Sequence, residues 1–176
     1  PFQRAWDKGS AKRKPRTATE AKLCWDRDNL YFFARMEDGD LFAEKTEHDA
    51  DLWFDDVFEL FFKPSAGFSG YYEFEFNPRN VVLDIYFPQR GFGDLPRLKR
   101  DFPFHLETAV KLEGTLNKTS DKDKGWAVEG KIPWSDFIRA GGRPRAGDVW
   151  KYAACRYDYS VDFEGPDLSS NAPLQR

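Results

Sequence analysis

Aromatic side chains recur at every second position in this chain, in short runs that turn formers interrupt. In residues 30–37, Leu30, Phe32, Ala34 and Met36 fall on one face while Tyr31, Phe33, Arg35 and Glu37 fall on the other. Residues 57–62 set Phe58, Leu60 and Phe62 against Val57, Glu59 and Phe61, and residues 71–76 set Tyr72, Phe74 and Phe76 against Glu73 and Glu75. Period two is the signature of strands whose two faces meet different surroundings. Further strands are expected over 21–25, 81–87, 106–112, 126–132 and 149–157, with Asp26-Arg27-Asp28-Asn29 as a hairpin turn. No segment sustains a 3.6-residue period. The expectation is all-β: an antiparallel β-sandwich of jelly-roll or immunoglobulin-like type with at most one or two short helical turns, one of them over 133–138. Residues 38–56 and 88–104 read as long loops. Residues 1–20 form an irregular basic lead-in anchored by Trp6, within a single domain spanning 1–176.

Composition supports strands: 17 Phe, 7 Tyr and 6 Trp accompany one Met, and such residues suit a pleated, half-buried surface. A net charge of -3 argues against a nucleic-acid partner. The one basic cluster, Lys12-Arg13-Lys14-Pro15-Arg16, has no interleaved aromatic and reads as a solvated lead-in. No run approaches the roughly 18 apolar residues of a membrane span. Two cysteines, Cys24 and Cys155, are too few for a disulfide framework. Both are expected as buried free thiols, with a single bridge as the alternative.

Glu59, Glu75 and Arg156 alternate with apolar residues mid-strand, and an ionised group is costly to bury unpaired. They either cluster on an exposed sheet face as a site or form ordinary cross-strand ion pairs. Trp53, in the acidic loop before a strand, either plugs the core or offers its ring to a ligand; sugars present C–H patches that lie on aromatic faces. Asp38, Asp40, Asp49 and Asp51 are the candidate oxygen donors for calcium, against the plain reading of a solvated acidic loop. Catalytic motifs are absent. Glu59 and Glu75 as a glycosidase pair is a weak signal among 30 acidic residues. Met36, His48 and His105 are isolated candidates for haem ligation, without a CxxCH motif.

Several segments in order carry a resemblance: residues 19–26 running into 29–32, Asp49, residues 53–61, residues 71–77, Gly114-Thr115-Leu116-Asn117, residues 125–129, Ile132-Pro133-Trp134, and Gly147-Asp148-Val149-Trp150 leading to Arg156. Together they resemble bacterial domains similar to family 9 carbohydrate-binding modules. The resemblance implies a non-catalytic β-sandwich, often calcium-supported but needing no cofactor, that grips a sugar-chain end between aromatic rings. In that picture Trp53 is a stacking ring, Glu59 a carboxylate and Asn77 an amide that bind hydroxyls, with Arg156 completing a polar floor beside Glu75. It also implies an extracellular or periplasmic setting and appended catalytic or cytochrome domains; an accessory interaction or haem-binding redox domain is the alternative. Two positions depart from the pattern. Glu75 stands where sugar binders carry Arg, and no second stacking Trp or final strand is visible in residues 159–176.

Overall fold

The computed structural model describes residues 2–4, 14–65 and 67–171. Trp6, Lys12 and Arg13 of the lead-in lie outside the described residues. Ten strands are seen among the described residues: β1 (Gln3–Arg4), β2 (Thr19–Trp25), β3 (Asn29–Glu37), β4 (Val57–Lys63), β5 (Tyr71–Phe76), β6 (Val82–Phe87), β7 (Glu107–Glu113), β8 (Gly125–Pro133), β9 (Lys151–Asp158) and β10 (Asp167–Ser170). They form two antiparallel sheets, ordered β1-β10-β9-β4-β5-β6 and β2-β3-β8-β7. Among the described residues helix is confined to single turns at Leu52–Phe54, α1 (Leu95–Leu98) and Trp134–Phe137. That is three turns where at most two were expected, and α1 falls in a segment read as pure loop. No described helix is long and apolar enough to cross a membrane.

The eight expected strands form because alternation lets each run bury one face. Leu30, Phe32, Ala34 and Met36 of β3 meet Phe58, Leu60 and Phe62 of β4 and Tyr72, Phe74 and Phe76 of β5 in the core between the sheets. Large rings dominate it: Phe32 stacks on Phe76 at 4.7 Å, and Phe137 meets Tyr72 edge-on at 5.0 Å. Two strands escaped the pattern. β1 is too short to show a period, and β10 turns Asp167 and Ser169 inward, where Asp167 is buried and paired with Arg4 at 2.7 Å.

Cys24 corrects an expectation. It shares a face of β2 with Lys22 and Glu20, so it is exposed, while Cys155 is buried in the other sheet; both are free. Arg16, from the basic cluster, lies over the Phe163 ring at 4.3 Å.

A second, smaller apolar cluster covers part of the outer face of the six-stranded sheet. Leu52, Val57, Leu83, Ile85 and Leu98 are buried there, with Trp53 packed against their edge. The loops read as long and irregular therefore act as a partial cover for this face. What they leave uncovered is a cleft.

Candidate functional site

Register decides which side chains share the outer face. Glu59 of β4 lies directly opposite Glu75 of β5 and Cys155 of β9; Phe61 lies opposite Glu73, and Val57 opposite Tyr157. Trp53, Glu59, Phe61, Glu73, Glu75, Tyr157 and Leu168 all line one cleft of about 210 Å³. The turn Leu52–Phe54 runs straight into β4, so Trp53 stands at the Val57 end, with Glu59 between it and Phe61.

Trp53 is half-buried and plays both roles held open for it. One part of the ring seals the smaller apolar cluster and another lines the cleft. Its position is held by the Tyr159 hydroxyl, which donates to its carbonyl at 2.8 Å, and by Lys99, whose Nζ sits 5.5 Å from the ring centroid. Lys99 also donates to Asp51 at 2.8 Å.

The carboxyls of the cleft are poorly compensated. Glu59 and Glu75 are buried, and Oε2 of Glu75 has no hydrogen-bond partner. Burial holds both well above the usual carboxylate range, and the neighbouring carboxyls push the same way. Burial raises Glu73 to about 7, opposed by a hydrogen bond with Glu75. Burial next to Glu59 pushes the Cys155 thiol up to about 12. Like charges directly opposite across strands cost stability.

The other candidates are placed elsewhere. Arg156 lies opposite Phe58, which puts it on the inner face, one residue out of phase with Cys155. It borders the cleft, but its Nη2 pairs with Asp38 at 3.1 Å and Asp158 at 3.4 Å, and Nη1 donates to the Thr17 hydroxyl. The expected pairing with Glu75 is replaced by this buried cluster. Asn77 is fully buried and its amide is engaged on both sides. Nδ2 donates to the Lys45 carbonyl and Asp55, while Oδ1 accepts from the Arg79 and Val81 amides. It pins two loops and has nothing left for a ligand.

The four aspartates named for calcium split into two places. Asp38 joins Asp56 and Asp158, and Asp49 joins His48 and Asp84. Asp40 accepts from the Val161 amide and Asp51 pairs with Lys99. Calcium takes six to eight oxygens. Around Asp38 the oxygens are already engaged: both Asp56 oxygens accept backbone amides, from Phe42 and Tyr159, and the Arg156 guanidinium, a fixed cation, pairs with Asp38 and Asp158. This trio does not fit a calcium ion. Burial raises Asp56 well above the usual range and Asp158 to about 6. At the second place His48 stands 3.6 Å from both Asp49 and Asp84.

The loop carboxylates otherwise serve the backbone. Asp55 accepts from the amides of Glu44 and Lys45, and Asp123 from those of Leu41 and Thr115. Gly114 is required because a Cβ there would collide with the Asp123 carboxyl. The haem candidates are also committed: Met36 in the core, His48 as above, and His105 on Asp136 at 3.0 Å.

Sequence reasoning missed Glu73, Phe61, Tyr157 and Lys99. For the first two the signal was present, since period two puts Phe61 beside Glu59 and Glu73 beside Glu75. Lys99 arrives by loop packing, which no local pattern announces. A larger cavity, about 1080 Å³, opens between the sheets beside β2. Phe2 and Asn171, which adjoin undescribed residues, line it, so its volume belongs to the described residues alone.

Three comparisons bear on this architecture. The family described as "Carbohydrate family 9 binding domain-like" matches residues 2–158. Among curated proteins no relative is found. Similar folds occur in a protein of Bacteroides uniformis ATCC 8492 described as a candidate carbohydrate-binding protein, at 16% identity and TM-score 0.70, covering 99% of this chain and 78% of that one. They occur also in a carbohydrate binding module family 9 from Caldicellulosiruptor kristjanssonii, solved with cellotriose (17% identity, TM-score 0.55, 92% of this chain and 67% of that one) and with glucose (17%, 0.56, 92% and 68%).

Proposed function

Because this chain belongs to the carbohydrate family 9 binding domain-like family, we propose that it is a non-catalytic module that binds carbohydrate in the cleft beside Trp53. The observation that carries this reading is an indole half open to a cleft floored by carboxyls, with a second ring, Phe61, on the far side of Glu59. Sugar C–H faces lie against such rings, and hydroxyls donate to carboxylate oxygens. Phe61 would supply the second platform in place of the Trp that residues 159–171 lack.

A cleft of about 210 Å³ is smaller than the ~300–1,000 Å³ of pockets for drug-sized ligands. It suits one ring at the end of a chain better than a run of several. The relatives solved with cellotriose and glucose support the ligand class. A polysaccharide target sets the work of this module outside the cytoplasm, beside whatever appended domain acts on the polymer.

Titration calorimetry with mono- and oligosaccharides tests the reading. Trp53→Ala is expected to weaken binding at least ~10-fold, or about 1.4 kcal/mol, while circular dichroism still reports a folded sandwich. Unchanged affinity in this variant, or release of reducing ends by the wild type, contradicts the proposal.

A further inference from the structure

Neutral sugar hydroxyls each donate and accept, so a site for them needs both kinds of partner. This cleft is predominantly acidic. Its polar floor is Glu59, Glu73 and Glu75; the donors that line it with them are the Tyr157 and Ser169 hydroxyls and Nε of Arg156, which has no partner, while Nη1 and Nη2 of Arg156 and the amide of Asn77 are bonded elsewhere. Lys99, a cation whose charge acts on Glu75, is tied to Asp51. The Glu75 carboxyl is 1% exposed, lines the cleft, and leaves one oxygen without a partner. An ammonium group complements this floor: it brings three donors, no acceptor and a positive charge that the carboxyls balance once they release their protons.

We propose that the sugar taken by this cleft carries a primary amine, as a 2-amino-2-deoxyhexose or the end of an oligomer of it, with its ammonium set against Glu59 and Glu75 and its ring on Trp53. The inference rests on the carbohydrate-binding reading above and names the ligand class within it. A calcium ion is the weaker occupant, since the three glutamates are not among the described carboxylate groups that converge closely enough to share one ion.

Charge makes the binding pH-dependent. The groups facing Glu75 are Glu59 from β4, Glu73 from its own strand, Cys155 and Tyr157 from β9, and Lys99 beyond α1. In the free protein the carboxyls hold protons to higher pH than usual because they are buried together. An ammonium ligand must displace those protons, so its affinity climbs as pH rises from 5 to 6.5, where the amine stays protonated.

Calorimetric titration of the purified chain tests this with glucosamine oligomers, their N-acetylated counterparts and cello-oligosaccharides of equal length, each at pH 5 and 6.5 in 150 mM salt. The amine-bearing oligomer is expected to bind at least ~10-fold tighter than either neutral one at pH 6.5, and its lead to shrink at pH 5. Glu75→Gln should bring it down toward the neutral ligands; Glu73→Gln, at a half-buried position, gives the same readout if the first variant folds poorly. Equal or tighter binding of a neutral oligosaccharide overturns the inference and leaves the carbohydrate reading standing. An oligolysine of equal charge binding as well as the amino sugar also overturns it. Failure of every glycan to bind removes the carbohydrate reading itself.

Discussion

Trp53 and Asn77 look alike in a motif-based reading, as polar-loop residues flanking a strand, yet the structure uses them in opposite ways. Trp53 keeps part of its ring in the cleft. Asn77 spends four hydrogen bonds, two on the backbone of its own loop, one on the Lys45 carbonyl and one on Asp55. Removing a fully buried amide leaves several groups without partners, each costing about 1–3 kcal/mol. Asn77→Ala should therefore lower unfolding stability by about 2–3 kcal/mol in urea titration, while sugar affinity of the folded fraction is unchanged. A fall in affinity at intact stability would return Asn77 to the ligand. Arg156 carries a related lesson. Its alternation in sequence is clear, but phase relative to Phe58 is a property of strand pairing, so the face it occupies was not legible from its own strand.

At the scale of strands, β4 and β5 carry the site and also its cost. Eight strands were legible because alternation survives wherever one face must be buried; β10 was not, because its inward residues Asp167 and Ser169 are polar, with Asp167 paired to Arg4 and accepting the Arg16 amide. The same alternation marked Glu59 and Glu75, and it held Glu73 in plain view. The titration of these strands follows from burial. Glu73 and Asp84 are raised to about 7 and Asp158 to about 6, all above their values in an unfolded chain. Below their unfolded values the folded state loses nothing from these groups. As pH rises toward and through 6–7 the unfolded chain sheds their protons more readily than the native one, so stability falls. The melting temperature should decline between pH 5 and 8, and Glu73→Gln should flatten that decline, raising the melting temperature at pH 8. A melting temperature that rises over this range, in wild type and variant alike, would mean that these carboxyls find counter-charges in solution.

Across the whole molecule, two sheets supply a core and the acidic loops supply a second, smaller cover. Buried aspartates, Asp55, Asp56 and Asp123, hold those loops by accepting backbone amides; none of them is among the four that sequence reading offered to calcium. The cover stops short over β4, β5 and β9, and the cleft is what remains. Loop packing across 50 residues, as between Lys99 and Asp49, has no local signature, so the cleft's rim emerged only with the fold. The measurement that bears most directly on this account is an amide and indole chemical-shift map of the labelled chain on addition of the tightest-binding oligosaccharide. Shifts should gather at Trp53, Glu59, Phe61, Glu73, Glu75 and Tyr157. Shifts gathered instead at Trp25, Trp134 and Trp150, beside the inter-sheet cavity, would contradict it.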